Sequence, residues 1–227
     1  MALYELLQHS LPIELGVCPD GIKVDALQKT NSFALSDSKA CHDCHLQPQR
    51  ADRAECNEEV LSVNNNGKEV VVINFEEYAC QFDNSPARFS ERCDYLLLDG
   101  TESHHKIAFC DLTCSDQKWV EPNEGLYPQG KRAKARSQMI KSIEVLMSQN
   151  ILEQYILTFA EKVCLFGWRD YCAPAMPISP ERGSVRTNLQ AFMTTPSSIA
   201  RQTKSEQNIL QHNFQFIQVK YPQTYEW

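Results

Sequence analysis

Hydrophobic positions change their period several times along this chain of 227 residues. Leu3, Leu6, Leu7 and Leu11 recur at helical spacing, which predicts a short amphipathic helix within residues 1–17, limited by Pro12. Residues 18–60 are polar and carry no long periodic pattern, so a compact fold needs something to hold them. Asn64-Asn65-Asn66-Gly67 is a turn signal between two strand candidates, Val60 to Val63 and Glu69 to Phe75. The second is rich in β-branched residues and reads as a buried strand or one arm of a hairpin. After a loop with Pro86, strands are expected at 93–98 and 106–113, with a turn beginning at Asp99-Gly100. Pro122, Gly125, Pro128 and Gly130 mark a loop over 115–130. Ala135, Met139, Ile140, Ile143, Leu146 and Met147 then predict a helix over Lys134 to Gln149. A second helical piece from Ile151 to Phe159, a strand from Glu161 to Trp168 and a last strand from Phe214 to Lys220 complete the pattern. The Pro-, Ser- and Thr-rich stretch 173–208 reads as an exposed connection, and no internal repeat is visible.

Length suits one large domain, or one domain with a small appendage. The formal charge of -7 restricts any nucleic-acid site to a local basic patch. Lys131-Arg132-Ala133-Lys134-Ala135-Arg136 is the one dense run, either a solvated helix start or a phosphate-binding patch. Glu5 and Glu14 interrupt the N-terminus where a secretory signal would carry a basic region and an apolar core. No stretch approaches the roughly 20 apolar residues of a membrane span. The expectation is a cytoplasmic protein with no membrane contact. In that compartment its ten cysteines are thiols or metal ligands, and Cys110 and Cys164 read as small core residues.

The pattern that carries chemistry is a pair of neighbouring strands with one acid each. Asp94 opens Tyr95-Leu96-Leu97-Leu98, and Asp111 follows Ile107-Ala108-Phe109-Cys110. Two acids on adjacent strands hold a divalent cation with hard oxygen ligands and leave room for water. Such an ion activates water and neutralises charge on a phosphodiester. The order of strand with Asp, turn, strand with acid, loop, then a helix carrying Gln138 resembles the PD-(D/E)XK nuclease superfamily over about residues 69–168. That resemblance implies an α/β fold: a mixed central sheet flanked by helices, the restriction-endonuclease-like core, over 64–227. Residues 1–63 would be a Cys-containing N-terminal extension. It also implies Mg²⁺ at Asp94 and Asp111, with Gln138 positioning phosphate or water.

The departure lies in Asp111-Leu112-Thr113, where Thr stands in the place of the family's lysine. Lys106 from the start of the strand, or Lys118 from the loop, is the candidate replacement. Otherwise the metal site is eroded and the domain binds DNA, RNA or protein without cutting. The resemblance implies a role in restriction, repair or antiviral defence. The alternative is a non-catalytic, zinc-stapled interaction subunit of a larger complex, and the negative charge and Thr113 both favour a protein partner.

Cys41-His42-Asp43-Cys44 supplies a Cys-x-x-Cys pair for one Zn²⁺ at a tight turn. Cys56 is the candidate third ligand, and Cys18, His42, His45 or Cys80 the fourth. Structural zinc would staple residues 18–60, and free thiols in a loop are the alternative. Cys-x-x-Cys-His also matches a haem-attachment pattern, but haem attachment goes with export. A redox role would need a preceding strand, and Ser32 to Ala40 does not read as a convincing one. Lesser candidates are a thiol beside His104 and His105, base stacking by Trp119, Trp168 or Tyr171, and a third carboxylate from Glu76 or Glu77.

Overall fold

The computed structural model describes residues 3–37, 59–82, 89, 91–100, 104–115, 120–122, 129–169 and 213–227. Nine strands form two sheets among these residues. They are β1 (Ala26–Lys29), β2 (Phe33–Ser36), β3 (Glu59–Asn64), β4 (Val70–Asn74), β5 (Tyr95–Asp99), β6 (Lys106–Cys114), β7 (Glu161–Arg169), β8 (Phe214–Lys220) and β9 (Thr224–Glu226). The large sheet runs β1-β4-β5-β6-β7-β8, and the small one β2-β3-β9. In the large sheet β1, β4, β5 and β6 pair antiparallel, whereas β6, β7 and β8 are parallel. It is thus a mixed sheet within an α/β fold.

Its two faces bury different partners. One core contains Leu96 and Leu98 of β5, Ile107 and Phe109 of β6, Cys164 and Phe166 of β7, and residues from every helix. The other contains Leu97, Ala108, Cys110, Leu112 and Leu165 together with Val60, Leu61 and Val63 of the small sheet. Helices therefore cover one face and a second sheet the other. Alternate residues of each strand reach opposite cores because side chains alternate with period two. At Gly167 a Cβ would lie 2.7 Å from the Leu112 side chain of the neighbouring strand β6 and 3.0 Å from Leu61 of the small sheet. That contact explains a glycine in the middle of an otherwise bulky strand.

The helices are α1 (Leu3–Glu5), α2 (Leu11–Glu14), α3 (Phe75–Cys80), α4 (Gly130–Met147) and α5 (Asn150–Leu157). A π-helical stretch, Leu6–Ser10, joins α1 to α2. Pro12 does not end the N-terminal helix as its fixed φ and missing N–H suggest. The Leu11 N–H reaches back five residues to the Leu6 carbonyl, and the widened turn lets Pro12 sit in the first turn of α2, where no donor is needed. Tyr78 of α3 donates to the Leu7 carbonyl at 2.8 Å and ties the two segments together.

The turn at Asn64–Gly67 decides between the two readings of β4, which is a buried strand of the large sheet. β3 and β4 do not pair as a hairpin: the turn carries the chain from the small sheet into the large one. Residues before 64 contribute β1 to the large sheet, β2 and β3 to the small one, and leucines to the helix-side core. The described part of that stretch is woven into both sheets. Among the described residues no helix is long and apolar enough to cross a membrane.

Candidate functional site

Asp94 stands just before β5 and is held from three directions. Its carbonyl accepts from the Phe75 and Glu76 N–H groups at the start of α3, at 2.9 and 3.0 Å. Its own N–H donates to the Cys110 carbonyl at 3.0 Å. Its carboxylate Oδ2 accepts from the Leu112 N–H of β6 at 2.7 Å. The side chain thus bridges to the strand that carries the second acid, which fixes its position. The start of α3 is set by Asn74, whose side chain accepts from the Glu77 N–H at 3.1 Å.

The register that pairs Tyr95 with Cys110 brings Asp94 to the stretch of β6 around Asp111. Parity places Asp111 on the helix side, two residues from Phe109, and Asp94, just before β5, reaches with its carboxylate to the Leu112 N–H next to it. Both are nearly covered, at 2% and 5% exposure. Two buried thiols lie within their field. Burial pushes the Cys93 thiol well above its ordinary value, and the charges of Asp111 and Asp94 push it further, against a hydrogen bond from Ser142. Cys110 is raised by burial first and then by Asp94, Cys93 and Asp111. Neither thiol is a nucleophile at neutral pH.

Helix α4 clasps the chain just ahead of Asp94. Gln138 Nε2 donates to the Arg92 carbonyl at 2.8 Å. Ser142 Oγ accepts from the Cys93 N–H at 3.0 Å and donates to the Gln138 carbonyl at 2.9 Å. Gln138 is therefore brought beside the acid-bearing segment, with its amide donor directed to that backbone.

Lys106 is not brought there. It lies at the opposite end of β6 and, being five residues from Asp111, on the opposite face. Its ammonium sits 3.2 Å from Glu161 and 5.4 Å from the ring centroids of both Tyr225 and Trp227. Lys118 lies outside the described residues, as do Cys41, Cys44 and Cys56. Cys18 and Cys80 are both exposed and in no disulfide. Among the described residues no group of three or more His, Cys, Asp or Glu side chains is placed to hold a metal ion. A divalent ion at Asp94 and Asp111 would take two carboxylates and complete its shell with water or phosphate oxygens, a set that suits Mg²⁺.

Glu76 and Glu77 fall in the first turn of α3, where their charge favours the helix start. His104 is held by a 2.6 Å contact from Nδ1 to Thr158 Oγ1 and stacks on Phe159. It belongs to a turn packed against Tyr155 and Phe159. Trp168 is core, and Trp119 and Tyr171 lie outside the described residues. Lys220 is the residue that sequence reasoning passed over. Phe214 and Phe216 pack on the helix-side core, so two further steps of two place Lys220 on the face of Asp111. Comparison with protein-family models, with curated proteins and with solved structures returned no match.

Proposed function

We propose that this chain is a PD-(D/E)XK-like domain with a rearranged metal site, associated with nucleic acid in a restriction or antiviral-defence setting. The observation that carries the reading is the position of Asp94, just before β5, beside Asp111 of the adjacent antiparallel β6, with the Asp94 carboxylate anchored by the Leu112 N–H. The order of elements supports it: antiparallel strands carrying the acids, then α4 with Gln138, then β7 parallel to β6. Mg²⁺ held by the two acids would supply an activated water and charge neutralisation at a phosphodiester. The chain's own residues do the positioning: Gln138 and Ser142 hold residues 92–93, and the start of α3 holds the Asp94 carbonyl.

The test is a cleavage assay on single- and double-stranded DNA and RNA with Mg²⁺, Mn²⁺ or EDTA. Metal-dependent cutting is expected to fall at least about a hundredfold in Asp111→Ala and in Asp94→Ala, since each removes half of the protein's ligands. Retained cutting in either variant removes the assignment.

A second reading is favoured by the near-complete covering of both acids and by the neutral Thr113. In it the same domain is a non-catalytic interaction subunit, its N-terminal stretch stapled by zinc at Cys41, Cys44, Cys56 and Cys18. Absence of cutting under every condition, together with stoichiometric zinc that is lost in Cys41→Ser with Cys44→Ser, would favour it.

A further inference from the structure

Thr113, Trp168 and Lys220 lie in one row across three parallel strands: Thr113 pairs with Trp168, and Trp168 with Lys220. All three fall on the helix side of the sheet, in step with Phe109, Phe166 and Phe214 of the same strands. Lys220 does not extend outward from the edge strand. Its Nζ lies 4.5 Å from the centroid of the Trp168 ring, so the ammonium is drawn from β8 across β7, in the direction of β6 and Thr113. Trp168 is only 4% exposed, and its indole Nε1 is buried with no hydrogen-bond partner among the described residues. A buried donor without an acceptor is rare in folded chains and marks a place where an outside acceptor fits.

An ammonium over the ring of an indole whose N–H is unmatched favours an anion rich in acceptor oxygens. One step of two back along the same strands, Asp111 pairs with Phe166, so this spot borders the acids. A phosphate there would be repelled by two carboxylates unless a cation stood between them, and a divalent ion at the acid pair meets that need. Arg136 of α4, 4.6 Å from the Phe216 ring centroid, adds positive charge over β8 on the same side.

We propose that Lys220 and Trp168 bind a backbone phosphate of nucleic acid, with Lys220 supplying the positive charge that Thr113 does not. The choice of nucleic acid as the phosphate's source rests on the acid-pair reading above. The probes are a fluorescein-labelled 20-base DNA duplex and its single strand. Their binding to the full chain is followed by fluorescence anisotropy in Ca²⁺, over a series of salt concentrations. Lys220→Gln is expected to weaken duplex binding at least about tenfold and to lower the slope of log K against log salt by about 0.9, the signature of one lost phosphate contact. Lys220→Arg keeps the charge and the slope. Trp168→Phe keeps an aromatic ring under the ammonium, loses the N–H, and weakens binding a few-fold at unchanged slope. Circular dichroism melts establish that each variant is folded.

Wild-type affinity and slope in folded Lys220→Gln would overturn the proposal, as would failure of the wild type to bind either probe at low salt. If Asp111→Asn binds as the wild type does while Lys220→Gln does not, the phosphate site stands and the metal-centre reading fails. The converse result keeps the metal centre and removes Lys220.

Discussion

The two ends of the large sheet use the same residue types to opposite effect. At one end Asp99, Lys106 and Trp227 meet on the face covered by the small sheet. Asp99 Oδ2 accepts from the His105 and Lys106 N–H groups at 2.8 and 2.9 Å, and Oδ1 from Trp227 Nε1 at 2.8 Å. Lys106 is paired with Glu161 and flanked by two rings. Every group there has an internal partner, so the network stabilises the fold and has nothing left to offer a ligand. At the other end Asp111, Trp168 and Lys220 lie on the helix face with Asp94 beside them, and there the indole N–H is unmatched among the described residues and the ammonium rests on a ring. An aspartate, a lysine and a tryptophan do not by themselves distinguish a site from a brace. Which face they share, and whether their donors and acceptors already match, does.

The largest effect that separates the ends is expected from Asp99→Ala. It leaves two backbone N–H groups and the Trp227 indole without their acceptor in a buried place, at a cost of about 3 kcal/mol. Urea unfolding should report that loss while nucleic-acid binding of the folded variant stays at the wild-type level. A fall in affinity without a fall in stability would break the comparison. Asp111→Asn is expected to behave in the reverse way: little change in the unfolding midpoint, with loss of metal-dependent cutting.

Lys106→Met comes next. It keeps the aliphatic stem beside Tyr225 and Trp227 but removes the charge from Glu161, which is itself 47% exposed. About 1 kcal/mol of stability should be lost, with cleavage and binding unchanged. Lys220→Gln should show the opposite pattern. Loss of cutting in Lys106→Met comparable to that in Asp111→Ala would return the missing lysine to β6 and overturn the division drawn between the two ends.

Much of this was legible in the sequence, and the rest fails for identifiable reasons. The apolar runs of β5 to β8 and the helical spacing in α4 locate those elements within a few residues. β1, β2 and β9 are three or four residues long and too short to show a period, and α3 follows β4 with no break. The even spacing from Lys106 to Ala108 and Cys110 already sets that lysine against Asp111, so parity alone argued against Lys106 as the replacement. Lys220 could not be found the same way. Its meeting with Thr113 depends on β6, β7 and β8 lying side by side in register, across more than 100 residues of chain. Local pattern carries no information about which distant strands become neighbours.

The smallest effect belongs to the thiols and again divides the two ends. Burial, with help from Asp94 and Asp111, raises Cys93 and Cys110 well above the ordinary thiol value of 9.0, and burial also raises Cys164. All three keep their protons in the folded chain under conditions where the unfolded chain begins to lose them. The sign follows from that difference: stability is unaffected below the unfolded thiol value and declines as pH rises past it toward the folded value. Each thiol is expected to cost about 1 kcal/mol between pH 9 and pH 10. Replacing Cys93 with alanine should make the fall between pH 8 and pH 10 shallower by one thiol's share, whatever it costs at neutral pH. The Asp99→Ala variant should keep the full alkaline slope, because no raised thiol depends on Asp99 for its charge. Equal slopes in wild type and Cys93→Ala would mean that this thiol ionises as readily in the folded chain as in the unfolded one. The acid end would then be open to water, and the covering of Asp94 and Asp111 would no longer distinguish it.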